Sequence, residues 1–219
     1  LPDLPGIPPL VQAALLRCSA HLRLGFVGGA VRDLLLHRLH RDPLTGLPDL
    51  DLVVQHLDPS DEEGGAAAHR LARSLVEADP TAVGFCRFHE AYGTVELELH
   101  GVLLDLATAR SETYPIPAEN PRVSPGTLED DLARRDFSIN AMALLLQPDG
   151  QVLLLDPHGG QADLAARRLR LLHESSLRDD PTRLVRGARY GARLGLVLDS
   201  SSLEQARQVL AIWPWAWRD

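Results

Sequence analysis

Asp49 and Asp51, in the segment DLDLVV, are the pair best spaced to do chemistry. Positions i and i+2 of a strand face the same way, so both carboxylates point outward while Leu50 enters the core. Two such groups side by side repel unless a cation lies between them. Hard oxygen donors suit Mg²⁺, which keeps part of its shell for water and substrate phosphates. Asp105, in VLLDLATAR, holds a like place in another expected strand, and a third carboxylate would help build a two-metal clamp. An isolated D-x-D is also what a solvated strand start looks like, so the pair gains meaning only from partners.

A partner lies upstream, in GFVGGAVRDLLL. Gly28 and Gly29 stand between a short apolar run and a helical one, where backbone N–H groups can face a phosphate. Glycine permits the close approach and the positive φ that such a turn can need. Arg32 can pair with phosphate, and Asp33 can hold the turn or the arginine in place. The segment lacks the third spaced glycine of a dinucleotide fold and the Gly-Lys-Ser/Thr of a P-loop.

Charge is unevenly spread around its net of -8, and all 22 basic residues other than histidine are arginine. Residues 167–193 hold eight arginines against Glu174, Asp179 and Asp180, whereas the first 166 are acidic. That split fits metal chemistry in the first part and polyanion binding in the second; a solvated helix face is the plainer account.

The elements that must carry these residues follow from periodicity. Residues 1–9 read as an irregular lead-in, 10–23 as a helix, LGFV as a strand and Ala30–His40 as a helix. RDPLTGLP is a loop before the DLDLVV strand, and DEEGGAAAHRLARSLVEA is a helix with an acidic start. VGFCRF, GTVELEL and GVLLDLATAR read as strands. Ser111–Leu128, with four prolines, is expected to be a long loop, either a lid or disordered. LEDDLARRDFSINAMALLL starts as a helix, QPDGQVLLLDP is a hairpin, and the chain after Ala162 is helical without a clear strand.

A chain of 219 residues with 45% apolar content supports a core domain and a smaller second one. No apolar run is long enough for a bilayer, so no membrane partner is expected. LPDLPGIPPL lacks the basic start and apolar stretch of a signal peptide. Cys18 and Cys86 read as core thiols in a reducing compartment, the cytoplasm. The tail AIWPWAWRD, with all three tryptophans, is expected to pack on the protein or a partner, or to mark a truncation.

GGAVRD (28–33), DLD (49–51), DLATARSETY (105–114), RRDFSINAMAL (134–144), DPHGGQADLAARRLR (156–170) and DDPTRLVRGARYGARLG (179–195) occur in that order. Together they resemble the head and neck of the class II tRNA nucleotidyltransferase and bacterial poly(A) polymerase family, from about residue 22 to 196. The resemblance implies an α+β fold: a nucleotidyltransferase-type mixed sheet with flanking helices in a head domain (1–160), then a small helical neck (161–219), cut short. It implies an enzyme that adds nucleotides from ATP, CTP or both to an RNA 3′ end, that of tRNA, without a template.

Residue by residue, the resemblance has Asp49 and Asp51 bind Mg²⁺, and Gly28, Gly29 and Arg32 hold the triphosphate. Arg135 and Asp136 would meet the nucleotide near its ribose, with Asn140 in support. Asp180 and Arg183 would read the base edge, backed by Arg186, the three sharing one side of a helix. Arg110 and Glu112 would couple the long loop to the nucleotide. Departures from the family pattern are Asp179 for the usual Glu, LLLHR after the first Arg-Asp, and Tyr190 and Gly191 in RYGARLG. The family's later helical domains, which hold the tRNA, are absent, leaving as the rival reading a silent nucleotide- or RNA-binding remnant. The undiminished length of 111–128 leans against CC-only addition.

Overall fold

A computed structural model describes residues 7–44, 49–58 and 66–212. The start of the lead-in, the second half of the RDPLTGLP loop, the acidic start of the third helix and the tryptophan-rich tail lie outside the described residues.

Seven strands form the central sheet: β1 (Leu22–Val27), β2 (Asp49–His56), β3 (Val83–His89), β4 (Thr94–Leu99), β5 (Val102–Thr108), β8 (Ala143–Leu146) and β9 (Val152–Leu155). Their order is β3-β4-β5-β2-β1-β8-β9. Every pairing in it is antiparallel except β2 with β5, which run parallel. Between β2 and β3 the chain crosses over through α3 (Ala67–Ala78), as a parallel pair requires.

Alternation decides which face each side chain takes. Leu50, Leu52 and Val54 of β2, Val95, Leu97 and Leu99 of β4, and Leu104 and Leu106 of β5 are buried on one face. There they meet α1 (Pro9–Cys18), α2 (Gly28–His40) and α3 in the main apolar cluster. The other face is covered only in part. Helix α4 (Leu128–Ala133) lays Leu128 and Leu132 over Val27, Val53, Ala143 and Leu145. This explains why DLDLVV turns from alternating to wholly apolar: Val53 is under α4, while Asp49 and Asp51 are beyond its reach. Beyond α4, over β5, β4 and β3, that face is open and carries Leu103, Asp105 and Phe85 exposed.

The stretch expected to be a long loop contains a hairpin of its own, β6 (Arg110–Thr113) with β7 (Arg122–Pro125). Its strands lie apart from the main sheet and β7 is exposed throughout, so no buried face imposes an alternating pattern on the sequence. The C-terminal part, α5 (Gly160–Ala165), α6 (Ser176–Asp179), α7 (Thr182–Leu194) and α8 (Ser200–Ala211), is helical as expected, with one addition. Two short strands, β10 (Arg168–Leu169) and β11 (Val197–Leu198), pair in parallel. Leu164, Leu169, Leu177, Leu196 and Val209 join the same apolar cluster as the sheet. Helix α7 approaches the 134–137 turn closely: a Cβ on Gly187 would stand 2.9 Å from the buried Phe137 ring.

Candidate active site

The glycine pair does not precede the helix but begins it. Helix α2 starts at Gly28, whose φ of 73° is open to glycine at little cost. The first amides of a helix have no partner within it, so this end presents donors. A Cβ at Gly28 would fall 2.7 Å from Asp51 Oδ2, which places the helix start against the carboxylate. Asp51 in turn pairs in register with Asp105 across the parallel β2–β5 ladder, with Asp49 two residues back on the same face.

Burial of the Asp51 carboxyl, then the neighbouring charges of Asp105 and Asp49, push its pKa up, against an opposing pull from Arg135. The Asp105 pKa also rises, first through partial desolvation against the sheet although the residue is exposed, and then through Asp49 and Glu96, with His89 opposing. Among the described residues no three acidic, histidine or cysteine side chains converge tightly enough to hold a metal ion unaided. A divalent cation held here would need substrate phosphates and water to complete its shell. Repelling hard-oxygen donors beside a helix N-terminus are a fitting set for such an ion.

In front of Asp51 and the start of α2 lies a cleft of ≈ 540 Å³, closed on its far side by α7. Gly28, Gly29, Arg32, Asp51, Glu112, Arg135, Asp136, Asn140, Asp180, Arg183 and Arg186 all line it. Asp105 lies one strand further on, lining an adjacent hollow that Asp51 and Arg135 share. Asp49 and Arg110 line neither of these two spaces.

One polar chain runs across the cleft from α2 to α7. Buried Arg32 donates through Nε to Asp33 (2.7 Å) and through Nη1 to Asn140 Oδ1 (2.9 Å). Its Nη2 is left above Gly29, and its guanidinium stacks 5.1 Å from the Tyr190 ring centre. Asn140 Nδ2 donates to Asp136 Oδ1 (2.9 Å), and Arg186 Nε donates to Asp136 Oδ2 (3.0 Å). Arg186 Nη2 reaches Asp180 Oδ2 at 3.1 Å, while Arg193 closes the chain on Asp33 at 2.8 Å.

A second chain serves the hairpin. Glu112 accepts from Arg110 (2.8 Å), Arg134 (3.0 Å) and the Tyr114 hydroxyl (3.0 Å). Arg134 and Arg135 both donate to fully buried Asp131. Arg110 thus reaches the cleft only through Glu112.

Asp180 corrects one expectation. It lies before α7, not on it, in extended backbone at φ -137°. Its Oδ1 accepts from the Thr182 amide and hydroxyl, which ties down the start of the helix, and Thr182 and Arg186 lower its pKa although burial opposes them. Arg183, 2% exposed, is fixed by Ser176 Oγ (2.6 Å) and the Arg134 carbonyl (2.9 Å). Its Nε, like that of Arg135, is buried without a hydrogen-bond acceptor among the described residues. Buried donors of this kind are rare and call for a partner, which a ligand with acceptor atoms would supply.

Tyr114, Arg134, Arg189, Tyr190 and Arg193 also line the cleft; the sequence reading gave none of them a place in the site, although it counted Arg189 and Arg193 in the arginine-rich segment and noted Tyr190 as a departure. Arg189, Tyr190 and Arg193 continue the Arg183–Arg186 face at helical spacing, a signal the sequence did contain. Tyr114 and Arg134 arrive through the hairpin and the turn after α4, which no local pattern announces.

The family described as the poly A polymerase head domain matches residues 24–170. A CC-adding tRNA nucleotidyltransferase of Deinococcus radiodurans is 44% identical over 197 residues, covering 90% of this chain and 47% of that protein. An A-adding tRNA nucleotidyltransferase of the same organism is 47% identical over 207 residues, covering 94% and 36%. Among solved structures, a CCA-adding enzyme in apo form II is similar at TM-score 0.76 and 31% identity, covering 93% of this chain and 45% of that one. A tRNA nucleotidyltransferase complexed with a primer tRNA and an incoming ATP analogue is similar at TM-score 0.68 and 33% identity, covering 87% and 47%. The chain therefore spans less than half the length of each of these relatives.

Proposed function

The chain belongs to the poly(A) polymerase head-domain family, and from that premise we propose that it adds nucleotides from ATP, CTP or both to a tRNA 3′ end without a template. The observation that carries the reading is the start of α2 set against Asp51, with Asp105 in register beside it. A triphosphate needs donors for its oxygens and a cation for its charge, and here both stand at one edge of one cleft.

Asp49, Asp51 and Asp105 would hold Mg²⁺, which would supply Lewis-acid stabilisation to the α-phosphate and the departing pyrophosphate. The amides that open α2 and the Nη2 of Arg32 bind the phosphates. Arg135, Asp136 and Asn140 flank the ribose, with the free Nε of Arg135 as a donor there. Arg183 and Asp180 face the base edge, and Arg186 holds Asp180 to Asp136. Glu112, through Arg134, ties the 110–125 hairpin to the nucleotide. In the transfer the RNA 3′-oxygen bonds to the α-phosphorus, the bond to the β-phosphate oxygen breaks, and the hydroxyl proton passes to solvent. Residues 1–160 act as the catalytic head and 161–219 as the neck, in the cytoplasm.

Exchanging Gly28 for Ala tests the cradle. Positive φ costs a non-glycine residue about 1–2 kcal/mol, and the new methyl group meets Asp51. Transfer is expected to fall at least tenfold with the circular dichroism spectrum unchanged; a fully active variant contradicts the placement. The function itself is tested with tRNA lacking its terminal CCA, Mg²⁺ and each of the four nucleoside triphosphates in turn. Extension with ATP, CTP or both, and not with GTP or UTP, is expected. Binding of nucleotide without extension by any of the four overturns the reading in favour of a silent binding protein.

A further inference from the structure

Arg183 lines two spaces, the nucleotide cleft and a separate hollow of ≈ 370 Å³. His173, in the turn that leads into α6, lines the hollow and not the cleft. Its backbone is held there: the His173 carbonyl accepts from the Ser176 amide (3.2 Å) and from Gln205 Nε2 of α8 (3.2 Å). Its ring bridges two groups, with Nδ1 3.1 Å from Ser175 Oγ and Nε2 3.4 Å from Arg183 Nη1.

Both ends dictate one protonation state. A guanidinium has only hydrogens to offer, so Nε2 must carry none and accept. The Ser175 hydroxyl gives its hydrogen to Asp179 Oδ2 at 3.1 Å, so toward His173 it can only accept, and Nδ1 carries the hydrogen. The ring in this chain is neutral. Arg183 Nη1 is then gripped by Ser176 and the imidazole together, and Nη2 by the Arg134 carbonyl, which leaves the Nε hydrogen for a ligand.

We propose that neutral His173 sets Arg183 in the pose that reads the base, which makes it a determinant of nucleotide choice. It is a positioning residue, and the inference rests on the base-reading role given to Arg183 above. A proton on Nε2 would aim a donor at a guanidinium, and two like charges repel at that contact. The surroundings already resist that proton: burial and then Arg183 hold the His173 pKa below its ordinary 6.5, against the pull of Asp179. Of the other charged groups lining the hollow, Glu112 is tied to Arg110 and to Arg134, and Asp130 caps α4 through Thr127. Nucleotide choice is therefore sharp while the ring is neutral and blurs as pH falls through the lowered pKa.

Selectivity between bases is the readout, because the nucleoside triphosphates share their phosphates and the carboxylate site, and titration there cancels from a ratio. The ratios are ATP over GTP and CTP over UTP, each taken as Kd by equilibrium dialysis and as kcat/KM for extension of tRNA lacking CCA. In the wild type they are expected to fall about tenfold between mildly alkaline pH and pH well below 6.5, in line with losing one hydrogen bond to a charged group. His173→Phe keeps the ring volume without the acceptor and is expected to show the lower ratios at every pH, the loss falling on KM. His173→Gln supplies an acceptor that does not titrate and is expected to hold the wild-type ratios across the whole range. Wild-type ratios that do not change with pH overturn the proposal, as do His173→Phe ratios equal to the wild type's, or His173→Gln ratios that still fall with pH. A chain whose Kd ratios follow this pattern but which never extends the RNA sinks the transfer reading and leaves this one standing.

Discussion

Replacing Asp51 with Asn is expected to reduce nucleotide transfer by about 10³-fold or more, the several kcal/mol that metal-held charge stabilisation supplies, while making the protein more stable. The second half follows from the direction of the pKa shift. Burial and the charges of Asp105 and Asp49 raise the Asp51 pKa above its ordinary 3.8. The folded state then holds a proton more readily than the unfolded chain does. The stabilising contribution of the protonated group is therefore complete below the ordinary value and is lost as pH rises through the folded one. Wherever the carboxyl is ionised it is a net liability to the fold. A neutral amide of the same shape removes it, and because solvent screens the site the gain is held to about 1 kcal/mol. In a chain of this length that is a rise in Tm of about 2–4 °C, measured in chelator. Mg²⁺ should raise the wild-type Tm and leave that of Asp51→Asn nearly unmoved. A variant that melts lower than the wild type in chelator removes the repulsion argument.

Replacing Asp136 with Ala should act in the opposite sense on stability and in the same sense on function. Asp136 is 8% exposed and accepts from the Phe137 amide, Asn140 and Arg186. It joins Asn140, which holds Arg32, to Arg186 and Asp180, alongside the tie from Arg193 to Asp33. Its loss leaves three donors short of an acceptor. Breaking a buried charged pair costs about 3–5 kcal/mol, and the partial exposure of Arg186 brings the expectation down to about 2–3 kcal/mol. Urea denaturation measures that loss. Nucleotide affinity should fall with it, because Asn140 and Arg186 lose the carboxylate that fixes them in the cleft while the Arg193–Asp33 tie remains. Asp136→Asn keeps an acceptor for the Phe137 amide and should recover part of the stability but little of the affinity. Retention of full nucleotide affinity by Asp136→Ala would show that the cleft does not depend on this chain of hydrogen bonds.

The parts of this molecule that the sequence disclosed are those under a periodic constraint. Asp49, Asp51 and Asp105 alternate with Leu50, Leu52, Leu104 and Leu106, and burial of the leucines leaves the carboxylates one direction to take. The helical face of Arg183 and Arg186 is legible for the same reason. Strands β6 and β7 were not, because β7 is exposed throughout, β6 buries a charged Glu112 rather than an alternating apolar face, and Pro125 reads as a loop residue although an exposed edge strand tolerates it. Asp180 shows a further limit. Its spacing from Arg183 and Arg186 is right for one helix, yet it serves from outside as the acceptor at the helix start. The approach of Arg134 and Tyr114 to the cleft depends on long-range packing of α4, the hairpin and α7, and one-dimensional spacing carries no trace of it.

The central claim is that this carboxylate site joins the α-phosphate of a nucleotide to an RNA 3′-hydroxyl. It is tested most directly by offering ATP or CTP labelled at the α- or the γ-phosphate, with Mg²⁺ and a tRNA lacking its terminal CCA. The expected result is α-label in the RNA, γ-label in pyrophosphate, and no labelling of an RNA that ends in a 3′-deoxyribose. Contradiction would be γ-label in the RNA, α-label joined as well by Asp51→Asn as by the wild type, or no α-label at saturating nucleotide and Mg²⁺.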